Sequence, residues 1–280
     1  MGHEKIGIVS GIWRFPVKSM RGEQLDETAV NEHGAHGDRA WALRELATGR
    51  IASAKKFPRL FEFRASYDSP PLPTALAPVT IELPGGRKIH ADDADASEII
   101  SAELGRKMRL ESGQSVPVER AGIDPTTLFA DVPVEKVLPG LTAEALPDQF
   151  ALKPGSFFDS AVMHVIANGT LRHMAKLTPS SAFDPRRFRA NIFVDTGERD
   201  DGFLEDEWAG GTLEIGADVK IVSMIPALRC VMTTHPQEDL SRDFLILRTA
   251  ALHHRANVGV FASVGASGIV RKGDPVHLVK

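Results

Sequence analysis

Short apolar runs, each closed by glycine, proline or a charge, recur along the whole chain, and most are too brief for helices. Residues 6–9 and 12–17 read as strands, followed by 27–30 and 40–43. Across 60–65, Leu60, Glu62 and Arg64 alternate with Phe61, Phe63 and Ala65, the period of a half-buried strand. The proline-rich stretch 67–78 reads as a loop and 79–83 as a strand, with Pro84-Gly85-Gly86 as a hairpin turn. Residues 95–104 read as a helix stopped by Gly105. A second unit begins in the polar stretch 112–131. There, 162–166 is apolar enough for a buried strand, and Asn168 is placed to cap a helix that ends at Leu177, before Pro179. Strands follow at 191–194 and 212–215, and 242–254 reads as a helix with Phe244, Leu247 and Ala251 on one face. The segment from Leu213 through Gly216 to Val219 is echoed by Val270 through Gly273 to Val276, a tight glycine turn between short strands. The expected class is β-rich α+β, with barrels favoured over sandwiches: a β-barrel-like domain over 1–115 and a β-barrel domain over 116–280.

Composition narrows this picture. The 280 residues include 42% hydrophobic positions, enough for sizeable cores. A net charge of -4 offers no overall attraction to nucleic acid or an anionic membrane, so anion binding must come from local clusters. No run approaches the length of a membrane span, and the first residues lack the apolar core of a signal peptide, so a cytoplasmic location is expected. The single cysteine excludes an internal disulfide and any multi-cysteine metal site.

Four segments carry candidate chemistry. Pro16-Val17-Lys18-Ser19 places a cation and a hydroxyl at a strand end, and Gly37-Asp38-Arg39-Ala40-Trp41 sets a charged pair before another apolar run. Arg186-Arg187-Phe188-Arg189-Ala190-Asn191 concentrates three arginines. Arg229-Cys230-Val231-Met232-Thr233-Thr234 holds the only thiol beside a cation and two hydroxyls. Taken singly, each has an ordinary reading as a solvated charge, a surface patch or a small buried hydrophobe. Arg229 shifts the balance for Cys230, because a neighbouring cation favours the thiolate, a soft ligand for transition metals. Arginine and lysine in turn suit phosphate oxygens. His164 reads as a satisfied core histidine, and His253 and His254 as structural or solvated.

In order and spacing these segments, with the terminal Gly273-Asp274-Pro275-Val276, resemble the MOSC family, the relatives of the C-terminal domain of molybdenum-cofactor sulfurase. The layout is nearest to the amidoxime-reducing branch, which also carries an N-terminal β-barrel domain. The resemblance implies a molybdenum–molybdopterin cofactor, a pterin dithiolene, with Cys230 as the metal ligand. It assigns Lys18, Ser19, Arg39, Arg189, Asn191, Arg229, Thr233 and Thr234 to cofactor binding. Many relatives continue past the two threonines with Val-Asp-Pro; here His235-Pro236-Gln237 follows, which puts an imidazole where a carboxylate is usual and nominates His235 as a catalytic group.

The implied activity is two-electron reduction of small N-hydroxylated or N-oxide-type molecules by oxygen-atom transfer, with electrons from a separate donor protein. The alternative is a protein that binds the cofactor or carries sulfur on Cys230 without turnover of its own.

Overall fold

The computed structural model describes residues 2–71, 77–113 and 155–280. The chain opens with β1 (His3–Arg14), β2 (Glu23–Leu25), β3 (Glu27–Asn31), β4 (Gly34–Ala35) and β5 (Trp41–Glu45). Next come β6 (Arg64–Tyr67), β7 (Val79–Glu82), β8 (Lys88–His90), helix α1 (Ala96–Leu104) and β9 (Met108–Ser112). The later part holds β10 (Met163–Ala167), α2 (Asn168–Leu177), β11 (Ile192–Asp195), β12 (Thr212–Ile215) and β13 (Val219–Leu228). It ends with α3 (Leu245–His254), β14 (Asn257–Ala266), β15 (Gly268–Arg271) and β16 (Pro275–Val279). The expected unit boundary at 115/116 lies outside the described residues, as does the middle of the proline-rich loop.

Seven strands close into a barrel, ordered β1, β11, β10, β14, β13, β12, β16 and back to β1, with β2 added along β1. All pair antiparallel except β10 with β11. The first strand of the chain is therefore a stave of a barrel built otherwise from its second half. Strand alternation supplies two cores. Val165, Ile192, Val194 and Val260 fill the barrel interior. Their neighbours Ile166 and Phe193 face outward, as does Val258 beyond the irregular register at Gly259, where they meet Leu171 and Met174 of α2 and Ile246 and Ala250 of α3. This is why β10 is buried along its whole length and reads as an apolar run broken only by His164. The rest of the N-terminal half forms small sheets, β5 with β9 and β6-β7-β8, around Leu43, Leu60, Phe61, Phe63, Ile81 and Ile100. Strand β3 pairs with β15, a second tie between the halves.

Several local expectations hold. Helix α1 ends on Gly105 in the left-handed conformation, φ 64°, whose amide donates to Ala102 O. The turn at Pro84-Gly85-Gly86 joins β7 to β8, and α2 stops at Thr178, before Pro179. Two do not. Residues Pro58–Glu62 form a 3-10 turn, and only Arg64–Tyr67 is a strand. Pro58 presets the turn, and Leu60, Phe61 and Phe63 all enter one core, so their alternation does not mark two faces. On α3, Phe244 is 63% exposed, and the buried positions are Ile246, Thr249 and Ala250. The barrel wall thus receives a face rotated from the expected one. The glycine turn at 273, φ 92°, does separate two short strands as expected, and sends them to different sheets: β15 joins β3, while β16 joins β1 and β12.

Asn168 begins α2 but does not cap it; its amide donates to Ser10 Oγ at 2.9 Å. Glu205 caps in its place, accepting from the Ala167 amide at 2.7 Å and from the Thr170 hydroxyl. Burial pushes the Glu205 pKa up to about 7, against these hydrogen bonds. A folded pKa raised above the unfolded one means a contribution complete below pH ~4.5 and lost as pH rises through ~7. The wild type should accordingly melt several degrees lower at mildly alkaline pH than at mildly acidic pH. Glu205→Gln, which cannot ionise, should flatten that slope by up to about 3 kcal/mol. Thermal melts of both proteins across this pH range check it; parallel slopes would refute it.

Candidate functional site

All four chemical segments converge on one cleft between the barrel and the N-terminal sheets. Lys18, Ser19, Arg39, Arg189, Asn191, Arg229 and Cys230 line it, and Lys55, Phe157, Asp159, His164 and Arg187 join them. Backbone bonds lace the walls together: Lys18 N to Trp41 O, Arg39 N to Phe15 O and Phe157 N to Arg39 O, each 2.8 Å. Ser19, Arg39 and Arg189 all adopt left-handed backbone, φ 68°, 50° and 55°. Each costs of order 1 kcal/mol for a residue with a Cβ, and such strain concentrates where side chains are held for function.

The cleft is strongly cationic. Lys18 donates to Phe157 O at 2.7 Å and pairs with Asp159, to which Lys55 also donates at 3.3 Å. Burial lowers the pKa of Lys18, opposed by Asp159. Burial also works against the charge on Lys55, but Asp159 and then Cys230 outweigh it and raise its pKa. Half-buried Asp159 is partly desolvated, yet the two lysines hold its carboxyl far below the usual range. Arg189 lies 4.2 Å over the Phe15 ring and donates to Met20 O at 2.5 Å, and Arg39 donates to Arg189 O at 3.2 Å. Arg229 donates to Phe188 O at 2.7 Å, while its buried Nε has no partner. Burial brings the Arg229 pKa down to about 10, against the pull of Cys230.

Asp38 ties the segments together. It accepts from the Phe15 amide and from Asn191 Nδ2, each at 2.7 Å, and pairs with Arg39. The Asn191 side chain is thereby committed to the protein; its Oδ1 accepts from the His164 amide at 3.2 Å. Ser19 Oγ likewise accepts from Ala54 N at 3.0 Å.

Thr233 and Thr234 are buried outside the cleft lining. Their hydroxyls donate to Cys230 O at 3.0 Å and Val231 O at 2.7 Å, fixing the 3-10 turn Val231–Thr234 that follows the cysteine. His235 is also buried away from the lining, its ring 6.2 Å from that of Phe61. Burial lowers its pKa, and Arg242 adds to the effect.

Four residues of this site were not nominated from the sequence. Lys55 sits in a Lys-Lys pair that has the look of a solvated turn. Asp159 precedes an apolar strand, as Lys18 follows one, and that symmetry was its only signal. His164 does have hydrogen-bonding company, with Nε2 3.2 Å from Val258 O, but Arg229 Nη1 also lies 3.3 Å from the same nitrogen. Burial and Arg229 lower its pKa well below the ordinary value, so the imidazole is neutral. Arg187 supports the Cys230 turn from behind, donating to Ala182, Thr233, His235 and Ser241 carbonyls. By contrast, Arg186 belongs to the surface, paired with Asp184, Glu238 and Asp239. His254 is structural, held between Asn257 O and Asp206 at 2.9 Å each.

Two family models match the chain: the MOSC N-terminal beta barrel domain over residues 6–111 and the MOSC domain over 153–277. The chain belongs to the MOSC family. A curated relative of this MOSC protein is the mitochondrial amidoxime reducing component 2 of Rattus norvegicus, 26% identical over 302 residues, covering 98% of this chain and 84% of the relative. Among solved structures, the YuaD protein of Bacillus subtilis superposes with a TM-score of 0.49 at 11% identity, over 99% of this chain and 97% of its own. YiiM from Geobacillus stearothermophilus gives a TM-score of 0.32 at 15% identity, over 43% of this chain and 55% of its own. No helix among the described residues of the MOSC protein is long and apolar enough to cross a membrane.

Proposed function

We propose that this MOSC protein holds a molybdenum–pterin cofactor in the cleft through Cys230 and reduces small N-hydroxylated or N-oxide-type compounds. The observation that carries the reading is the cluster of Lys18, Lys55, Arg39, Arg189 and Arg229 around the only thiol, with one half-buried carboxylate, Asp159, in the lining. Asp159 and Asp38 offset only part of this charge, and Arg189 and Arg229 have no acidic partner among the described residues. An excess of buried cations is costly, which favours an anion in the cleft. The unpartnered Nε of buried Arg229 fits an acceptor from outside the protein. Among the described residues no three histidines, cysteines or carboxylates converge as a metal site. A metal beside Cys230 would therefore take its other donors from an organic ligand, and a phosphate-bearing pterin dithiolene has that composition. The name of the rat relative points to amidoximes as substrates.

When bound, the cofactor supplies two-electron chemistry that side chains cannot. Overall, the substrate N–O bond breaks, two electrons and two protons are consumed, and water leaves. Arg39, Arg189 and Arg229 neutralise the anionic ligand and orient it. Cys230 presents its sulfur at the cleft wall, on a turn locked by Thr233 and Thr234. Lys55 keeps a proton on Nζ, facing both Asp159 and Cys230. Phe157 and Phe158 line the cleft with apolar surface that limits water. His235 acts from below the lining, by shaping the loop.

The test is elemental analysis of the chain from a host competent in molybdenum-cofactor synthesis, with reduction of an aryl amidoxime and an amine N-oxide by reduced viologen. Near-stoichiometric molybdenum and turnover are expected. A metal-free chain carrying a labile sulfur on Cys230 would replace the reductase reading with a sulfur carrier.

A further inference from the structure

Helix α3 is tied at both ends to the segment that carries Cys230. At its start, Asp243 N donates to Thr234 O at 3.0 Å; just past its end, Ala256 O accepts from Arg229 N at 2.8 Å. Its inner face, Ile246 and Ala250, packs in the core against Phe188 and Val258. The outer face is open. Leu245, Arg248 and Leu252 follow helical spacing along it, and all three are exposed, Leu252 at 69%. Phe244 and Arg242 extend this stripe at one end and Arg255 at the other. Apolar side chains so interleaved with arginines are not a solvation pattern, because helix surfaces ordinarily mix both charge signs.

These arginines have no acidic partner among the described residues. Arg242 lies 5.8 Å over the Phe244 ring and near His235, neither of them acidic. Nearby acids are engaged elsewhere: Asp239 with Arg186, Asp206 with His254, and Asp243 with the Leu245 amide at 2.9 Å. Unpaired arginines around exposed leucine and phenylalanine have the composition of a protein-binding patch, apolar at its centre and cationic at its rim. The complementary surface is acidic. From this outer face to the Cys230 turn the path crosses a single helix, about 10 Å in diameter.

We propose that the outer stripe of α3 is the docking face for an acidic electron-carrying protein, which would place that carrier's redox centre one helix away from Cys230. The inference rests on the reading of the cleft as a reductive site supplied with electrons from outside. Because the arginines steer and the leucines seat, association should fall steeply with salt.

The experiment uses the molybdenum-loaded full chain and three purified acidic carriers: a flavodoxin, a plant-type ferredoxin and the soluble domain of cytochrome b5. Binding is measured by calorimetry at low ionic strength, and aryl amidoxime reduction is followed with each carrier and, separately, with reduced viologen. At least one carrier should bind. Arg248→Glu with Arg255→Glu should weaken it by about tenfold or more. Leu252→Ser should weaken it at unchanged charge. Carrier-driven turnover should fall in parallel, while viologen-driven turnover, which needs no docking, stays at the wild-type level. The proposal is overturned if no carrier binds, or if the charge-reversed chain binds as well as the wild type. It is equally overturned if phosphatidylglycerol vesicles bind the stripe and the carriers do not, or if the stripe seats a second copy, seen as a dimer that Leu252→Ser dissociates. Carrier binding that responds to the variants, with no viologen-driven turnover in the wild type, would sink the reductase reading and leave the docking face standing.

Discussion

Cys230→Ser, prepared in a host that makes molybdenum cofactor, is expected to fold normally and to contain background molybdenum only. The change replaces one sulfur by oxygen at a half-exposed position, and Thr233 and Thr234 hold the turn through its backbone carbonyls rather than through the thiol. Barrel stability should therefore stay within about 0.5 kcal/mol of wild type. Metal retention should not survive, because a serine hydroxyl stays protonated near neutral pH and does not supply the anionic donor that a thiolate beside Arg229 does. Elemental analysis and viologen-driven reduction, read beside a thermal melt, separate the two effects. Wild-type molybdenum content in the variant would remove Cys230 from the proposed role. Loss of metal with a lowered melting temperature would point instead to a damaged fold. Arg39→Ala and Arg189→Ala should show a graded version of the result, weakened retention with the thiol still in place, since each lost charge-assisted contact to an anion is worth about 1.5–3 kcal/mol.

Arg187→Ala should be the most destabilising single change near the site. Only 2% of Arg187 is exposed, and its guanidinium donates to four backbone carbonyls, Ala182 on its own side and three in the loop that follows the cysteine. Truncation leaves those carbonyls buried without a donor and opens a cavity behind the Val231–Thr234 turn, a combined cost of about 3 kcal/mol or more. A lowered urea midpoint is one measure. Faster labelling of Cys230 by a thiol reagent is the other, because the turn should loosen before the barrel does. Arg187→Lys should recover less than half of the loss, since an ammonium lacks the planar fork that spans separate carbonyls. Unchanged labelling of the alanine variant would show that the threonine hydroxyls alone hold the turn.

Features decided within a few residues were legible in the sequence. The left-handed glycine after α1, the stop before Pro179, the Pro-Gly-Gly hairpin and the strand at Thr212–Ile215 all reflect local backbone chemistry. So did the chemical character of the site, because a lone thiol beside a cation and clustered arginines carry their meaning in their own side chains. The family models, matched over 6–111 and 153–277, bear out the family resemblance that those segments suggested.

Only the tertiary structure decided how the pieces meet. Asp38 reaches Asn191 across 153 positions, and Lys18 reaches Asp159 across 141; no local period announces such pairs. Burial likewise reassigned several side chains. Thr233 and Thr234 turned their hydroxyls to the backbone, Leu60 joined Phe61 in one core, and α3 presented Ile246 and Ala250 inward. The placement of β1 is the largest of these decisions. Residues 8–12 pair with 192–195 because a closed barrel leaves no unpaired edge, and the chain supplies its first strand as the closing stave. That closure carries the strand leading to Lys18 and Ser19 against the one that begins just after Asn191. The cationic cleft around Cys230 is therefore a product of long-range pairing, assembled from residues whose chemistry was already written along the chain.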